Sequence, residues 1–302
     1  MSRQLKKRCL QVLATGTGLI ALGLSLDMLV GRSIYHPLIY VDNATSWLGC
    51  NFSAKFNWSN TALAQSTAPV TPKNGMVVTE QHLASEAGLK ILKDGGNAVD
   101  AAVAVGYALS VTHPCCGNLG GGGFMLIHQA NGKDTFINFR EKAPGRATKK
   151  MYLDAEGKVV PDLSTKGYLA VGVPGTVLGL EQALKTYGTL SRSQVMAPAI
   201  ELAEKGFVLQ SGDVKILAST KKFNKQPNVA AIFLKNGTTP YQVGDRLIQK
   251  DLAHTLKLIS QSGSDAFYKG SIAQEITKVS SQNGGILTKE DFANYKVSET
   301  QP

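Results

Sequence analysis

The sequence contains little cysteine, four residues in 302, and no two of them have the Cys-x-x-Cys spacing that is typical of a structural zinc site. We therefore expect no metal ion. Cys115 and Cys116 are neighbours, and a disulfide between adjacent residues strains its short loop. Cys9 and Cys50 lie far from them, towards the N-terminus. The chain is therefore expected to lack a disulfide framework.

Charged residues are also scarce, at 18% of the chain, yet basic residues exceed acidic ones and give a formal charge of +10. Such a balance can serve nucleic-acid binding. The lysines are scattered, however, and the doublets Lys149-Lys150 and Lys221-Lys222 have no interleaved aromatic platform. We expect a solvated basic surface that attracts small anionic substrates, and no nucleic-acid partner.

The N-terminus has the layout of an export signal. Residues 1–8 carry four basic side chains and no acid, and residues 9–26 carry no charge. This order is typical of a signal sequence or a membrane anchor. A buried core helix is the weaker alternative, because it would start directly behind four cations. We predict that residues 1–30 contact the translocon or the membrane and that the chain is periplasmic, secreted or membrane-anchored; whether the leader is cleaved stays open.

The predicted domain starts after a tether. Residues 31–74 are rich in Asn, Ser, Thr and aromatic residues without clear periodicity, and we interpret them as disordered. Regular patterns begin near Gly75, so one folded domain is predicted over residues 75–302. A first helix has its small-residue face at i, i+3, i+4 and i+7, on Ala84, Ala87, Gly88 and Ile91.

The segments that follow predict an α+β domain in which helices predominate. Asn97 can cap a second helix over 98–111, which is apolar nearly all round and so expected to be buried. His113-Pro114 ends it, and strands at 124–127 and 135–140 should form a hairpin. Further elements are predicted from apolar spacing and cap signals. A short strand is predicted at 76–78, and a helix at 198–205 with Pro198 at its start. Three more helices are predicted: one marked by the apolar residues Val177, Leu180 and Leu184, one marked by Leu252, Leu256 and Ile259, and one that follows the capping box of Thr288 and Asp291.

The glycine run at 120–123 is not a phosphate-binding loop. A P-loop has Lys and Ser or Thr after its last glycine, whereas Gly123 is followed by Phe124-Met125. Phosphate loops also lead from a strand into a helix, and here the predicted order is reversed. The run is instead interpreted as a place where backbone passes close to other backbone or to a ligand.

A series of short sequence blocks runs along the chain from residue 75 onward. They are DGGNAVDAAVA at 94–104, HP at 113–114, GNLGGGGF at 117–124, FREKAP at 139–144, VPG at 173–175, PAIELA at 198–203, DAFYKG at 265–270 and LTKEDFANY at 287–295. Taken together, the blocks resemble the γ-glutamyltranspeptidase family: they follow one another in family order, and as a series they are highly specific.

This resemblance implies the larger-subunit half of an N-terminal nucleophile hydrolase, a four-layer αββα sandwich. Family precursors cleave themselves before a threonine, whose hydroxyl is then the nucleophile and whose α-amine is the base. The enzyme transfers the γ-glutamyl group of glutathione, or of another γ-glutamyl compound, to water or an amino acid through an acyl-enzyme. The implied partner is the C-terminal small subunit, and no cofactor is implied.

The resemblance also implies one substrate-binding residue, Arg140. A guanidinium can hold the α-carboxylate of a γ-glutamyl donor through two parallel hydrogen bonds. Glu141 either orients Arg140 or is a solvated acid, and the sequence leaves both open. His113, before a proline at a helix end, is interpreted as a capping or packing residue. The stretch 118–123 is expected to pack under the wall of the site.

The family nucleophile lies in a Thr-Thr-His-Phe-Ser-like stretch, which does not occur in this sequence. Thr238-Thr239 is followed by Pro240-Tyr241, and Thr112 by His113. We therefore expect no catalytic residue within residues 1–302. Two hypotheses follow: the chain works with a separate C-terminal half, or it is a non-catalytic remnant that keeps Arg140 for binding glutamate.

The export prediction can be tested with a reporter that needs an oxidising compartment. Alkaline phosphatase fused after residue 75 should be active, because the leader should carry it out of the cytosol. The control is the same fusion without residues 1–30, which should be inactive. An inactive, cytosolic fusion with the leader intact would contradict export.

Overall fold

The computed structural model describes residues 71–218 and 226–302, all of them within the unit Thr71–Pro302. The predicted leader at 1–30 and nearly all of the predicted tether at 31–74 lie outside the described residues. Among the described residues, no helix is both long enough and apolar enough to cross a bilayer.

The first two helices lie where the sequence predicts them. Helix α1 (His82–Lys93) buries the small-residue face that its spacing predicts, and Gly95 behind it has a φ of +95°, which favours glycine. Helix α2 (Ala98–Thr112) begins at a capping box formed by Asn97 and Asp100. The helices that follow in the described residues are α3 (Thr176–Tyr187), α4 (Arg192–Lys205), α5 (Ser211–Leu217), α6 (Pro227–Phe233), α7 (Lys250–Ser262), α8 (Ser264–Tyr268), α9 (Ser271–Gln282) and α10 (Lys289–Ala293).

In the described part of the chain, two small antiparallel sheets accompany the helices. Strands β1 (Phe124–His128) and β2 (Asp134–Asn138) form the predicted hairpin, and β5 (Ser298–Thr300) adds to the other edge of β2, so the order is β1-β2-β5. Strand β3 (Phe207–Val208) pairs with β4 (Arg246–Leu247). The hairpin was predicted from the sequence, whereas β3, β4 and β5 were not.

Helix α2 is the centre of the core, because α1, α3 and α4 all pack against it. Its side chains Val103, Tyr107 and Val111 are buried, which confirms the prediction from its apolar composition. Strand β2 packs against α3. One face of the β1-β2-β5 sheet thus joins the core through Ile127 and Ile137, which are buried.

Asp100, the charged residue of α2, is fully buried, and both oxygens of its carboxylate accept hydrogen bonds. Its carboxylate accepts hydrogen bonds from the backbone N–H groups of Asn97 (2.8 Å), Thr189 (2.9 Å) and Leu190 (3.2 Å), and from the Thr189 hydroxyl (2.7 Å). Burial acts to raise the pKa of Asp100, but the hydrogen bonds outweigh it and hold the pKa below its ordinary value. This carboxylate joins the start of α2 to the loop between α3 and α4.

Two local predictions were wrong. Residues 76–78 form no strand, and Met76 and Val78 are exposed, because no other described strand pairs with them. Pro198 does not open a helix but lies inside α4, which begins at Arg192. The capping box of Ser191 and Gln194 sets that start, and the helix passes through the proline despite its missing N–H. The capping box of Thr288 and Asp291 is confirmed at α10.

The substitution Asp100→Asn should lower the free energy of unfolding by about 2–4 kcal/mol, because it turns an NH₂ group towards buried N–H donors. Urea unfolding of the full chain, followed by circular dichroism, measures this. Since the folded-state pKa is lowered, the stabilisation is present above the unfolded value of 3.8 and is lost as pH falls through the folded value. The variant should lack this acid dependence.

The control is Asp94→Asn, which neutralises an exposed carboxylate paired with Lys90 four residues earlier. Exposed pairs of this kind contribute little, so the change should stay within about 0.5 kcal/mol. If the two variants had the same stability, Asp100 would not be the link between these elements.

Candidate functional site

The glycine run lies against the backbone that carries Arg140. The N–H of Phe139 donates to the carbonyl of Gly123 (2.9 Å), and the N–H of Gly123 donates back at 3.3 Å. Two residues earlier in the run, the carbonyl of Gly121 accepts hydrogen bonds from the N–H groups of Gly175 (2.7 Å) and Thr176 (3.1 Å). The run therefore joins the end of β2 to the start of α3.

Glycine is required at this junction because the backbones are too close for a side chain. A Cβ on Gly122 would lie 2.5 Å from the carbonyl oxygen of Phe139. A Cβ on Gly175 would lie 1.9 Å from the same oxygen and 2.2 Å from Oη of Tyr295. The interpretation of the run as a close backbone contact is confirmed. The N–H of Thr176, the first of α3, binds the Gly121 carbonyl and is therefore not available to an anion.

The backbone of Arg140 is bonded on both sides. Its N–H donates to Oδ1 of Asn138 (3.0 Å), and its carbonyl accepts from the hydroxyl of Tyr295 (2.8 Å). Burial, and then the charge of Glu141, raise the pKa of Tyr295 to about 12, so this hydroxyl stays a donor near neutral pH. The contact between Arg140 and Tyr295 joins residues far apart in sequence, and sequence reasoning missed it.

The guanidinium of Arg140 remains accessible. Its side chain is 59% exposed, its Nη1 lies 3.3 Å from Oε2 of Glu141, and its Cζ lies 5.9 Å from the centre of the Phe124 ring. This is a contact of one nitrogen with one oxygen, whereas a guanidinium offers five N–H donors. The structure therefore brings Arg140 and Glu141 together and leaves donors of the guanidinium available to a ligand.

An open groove of about 470 Å³ begins two residues after Arg140. Lys142 on its wall donates from Nζ to the carbonyl of Lys296 (2.8 Å) and lies over the ring of Tyr295. This groove was not predicted from the sequence, because its walls come from segments that are distant along the chain. Its lining residues are Lys142, Ala143, Gly145, Arg146, Val173, Thr288, Glu290, Asp291, Asn294 and Tyr295.

His113 is buried at the end of α2, where its N–H donates to the carbonyl of Leu109 (2.9 Å). This agrees with its interpretation as a capping residue. Its Nε2 lies 3.3 Å from Sγ of Cys115. Desolvation, and then the hydrogen bond with Cys116, raise the pKa of Cys115 to about 11.

Comparisons with known proteins agree with this architecture. The gamma-glutamyltranspeptidase family matches residues 84–302. The glutathione hydrolase proenzyme of Pseudomonas sp. (strain A14) is 57% identical over 241 residues, which are 79% of this chain and 42% of that protein. The proenzyme of Escherichia coli (strain K12) is 49% identical over 78% of this chain and 40% of its own length.

A solved structure is also similar. The γ-glutamyltranspeptidase of Helicobacter pylori superposes with a TM-score of 0.75 at 50% identity, over 78% of this chain and 68% of that chain. The fold is therefore α+β and helix-rich, as in the N-terminal nucleophile hydrolases of this family. The chain belongs to the γ-glutamyltranspeptidase family. It spans about two fifths of the length of the two curated relatives.

Proposed function

We propose that this chain is the larger-subunit portion of an exported γ-glutamyltransferase, a glutathione hydrolase. The observation that carries the proposal is the accessible guanidinium of Arg140 on a backbone bonded at both its N–H and its carbonyl. A rigid backbone with an available cation suits the recognition of a small anionic substrate.

A γ-glutamyl donor carries a free α-carboxylate remote from the bond that breaks. Arg140 binds this carboxylate through two parallel N–H···O bonds and so positions the γ-amide for attack. Glu141 contacts one guanidinium nitrogen and orients it. The neighbouring Phe124 ring supports the cation from its face. Each of these groups lies within or beside the segment 139–141 and the first strand.

The reaction itself uses a threonine at the N-terminus of the small subunit. Its hydroxyl attacks the γ-carbonyl of glutathione while its α-amine takes the proton. The C–N bond then breaks, the departing amine is protonated, and a γ-glutamyl ester remains on the threonine. Water or the amine of an amino acid attacks this ester and releases the threonine. Arg140 holds the α-carboxylate through both steps.

The small subunit covers the open face of the β1-β2-β5 sheet. Phe124 and Leu126 point away from the core and are 56% and 65% exposed, and Phe136 stacks on Phe124 on the same side. All of β5, at the sheet edge, is exposed. An apolar sheet face and an open edge are surfaces that another sheet covers in a sandwich. Arg140 lies at this face, so the partner also encloses the substrate.

A second candidate function is a non-catalytic remnant that binds γ-glutamyl compounds weakly. It rests on the accessible guanidinium of Arg140, which can bind a carboxylate without any reaction. Thr238 and Thr239, the paired threonines of the chain, lie at an exposed turn and are followed by a proline. The two candidates differ in whether a small subunit restores turnover.

In the enzyme completed with its small subunit, Arg140→Lys should raise the KM for glutathione about 10- to 150-fold. The lysine keeps the charge but loses the planar fork, and a lost charge-assisted bond costs about 1.5–3 kcal/mol. Steady-state kinetics measure the change. Arg246→Lys, the same substitution at an exposed arginine of β4, should leave KM unchanged. If both variants kept the parent KM, Arg140 would not bind the donor.

Residues 75–302 alone should neither cleave themselves nor turn over γ-glutamyl-p-nitroanilide, because no acyl-enzyme forms without a threonine nucleophile. Intact mass and release of nitroaniline measure the two reactions. Co-expression with a C-terminal half that carries the threonine motif should restore turnover if the chain is an enzyme subunit, and should not if it is a remnant. Turnover by the pure fragment would place the nucleophile within these residues.

A further inference from the structure

The turn that follows α2, residues 113–117, carries three side chains of types that can bind metal ions. We call it the Cys-Cys turn. The carbonyl of His113 accepts from the N–H groups of Cys116 (3.1 Å) and Gly117 (2.9 Å). A Cβ on Gly117 would lie 2.7 Å from the carbonyl of Leu109, so the turn closes tightly on the last turn of α2. The backbone of all three side chains is therefore held before any ligand binds.

The ligand atoms of His113, Cys115 and Cys116 all lie within 4.8 Å of one another. In the described ranges 71–218 and 226–302, this is the one cluster of three His, Cys, Asp or Glu side chains that could hold a metal ion. Cys115 and Cys116 are exposed residues, so filling the core does not explain them. The sequence predicted no metal here because the spacing is not Cys-x-x-Cys, yet the fold supplies the imidazole as a third ligand.

The buried imidazole points its Nε2 into the cluster. His113 is 9% exposed, and its Nδ1 is buried without a hydrogen-bond partner among the described residues. The polar contact that the ring makes is the one between Nε2 and Sγ of Cys115, at 3.3 Å. A thiol is a weak hydrogen-bond partner, so this contact compensates only in part for the cost of burying the imidazole. A metal ion would replace it with a coordinate bond.

A disulfide is the competing fate of the two thiols, and their geometry disfavours it. The Cα atoms of adjacent residues are about 3.8 Å apart. Disulfides usually join Cα atoms about 4.4–6.8 Å apart, and shorter separations store strain that makes the bond easy to reduce. The two cysteines are therefore better suited to bind one ion with separate sulfur atoms than to form a disulfide.

We propose that His113, Cys115 and Cys116 bind one thiophilic d¹⁰ cation, Zn²⁺ or Cu⁺. Two thiolates and one imidazole form a soft ligand set, which selects these ions over Mg²⁺ and Ca²⁺. On the exposed side of the turn a fourth position is open to water, as in zinc sites with three protein ligands. Binding releases the thiol protons to solvent and changes no oxidation state. The site does not depend on the proposed activity.

The test is metal titration of the full chain, reduced and kept free of oxygen. Competition with a chromophoric chelator should show one Zn²⁺ or one Cu⁺ bound per chain. The ion that binds with the higher affinity is the one that the site prefers. Co²⁺ should produce the near-ultraviolet charge-transfer band of a cobalt–thiolate bond. The melting temperature should rise with the bound metal.

Variants decide whether the cluster is the site. Mutation of a residue that only hydrogen-bonds a metal ligand typically lowers metal affinity about 10- to 100-fold. Cys115→Ser and Cys116→Ser each remove a ligand itself, so each should lower the affinity at least as much. Both thiols are exposed, so these variants should fold. His113→Gln should also weaken binding, whereas His128→Gln, at an exposed histidine of β1, should not.

The matched control is the double variant Cys9→Ser/Cys50→Ser, which removes the other two cysteines of the chain and should bind as the parent does. The proposal is overturned if the parent binds neither ion more tightly than Cys115→Ser/Cys116→Ser does. It is equally overturned if the Cys9→Ser/Cys50→Ser control loses the ion, because the thiols would then lie elsewhere.

Discussion

The site depends on a close contact between three stretches of backbone: the glycine run, the residues after β2, and the start of α3. The carbonyl of Gly121 binds the N–H groups of Gly175 and Thr176 at the start of α3, and Gly123 pairs with Phe139. A Cβ on Gly122 or Gly175 would collide with the same Phe139 carbonyl. Because backbone is much stiffer than side chains, this contact holds Arg140 at a constant position relative to α3 and the core.

The two faces of the β1-β2-β5 sheet have different roles. The inner face packs on α3 and joins the core around α2. The outer face carries exposed Phe124 and Leu126, and the Arg140 guanidinium lies beside Phe124. If a second subunit covers this face, as we propose, it also removes water from Arg140. An ion pair with a substrate carboxylate becomes stronger in such surroundings, so assembly and substrate recognition would be coupled.

Predictions succeeded where the cause is local. The caps at Asn97 and Thr288 and the buried face of α1 depend on residues within one or two helical turns, and the structure has them as predicted. The strand predicted at 76–78 failed because a strand needs a partner that a local pattern does not reveal. The start predicted at Pro198 failed because the earlier capping box at Ser191 was overlooked, and α4 continues through Pro198 although a proline removes one hydrogen bond of a helix.

The sequence by itself determined the family, the helix-rich α+β class and the candidate Arg140, because ordered motifs and local periodicity are written along the chain. Only the tertiary structure decided how Tyr295 holds the Arg140 carbonyl, which segments line the groove, and that the His113 imidazole faces two thiols. The first two join residues more than a hundred positions apart, and the third depends on the path of a tight turn. Such contacts follow from how elements pack in three dimensions, which no spacing along the sequence specifies.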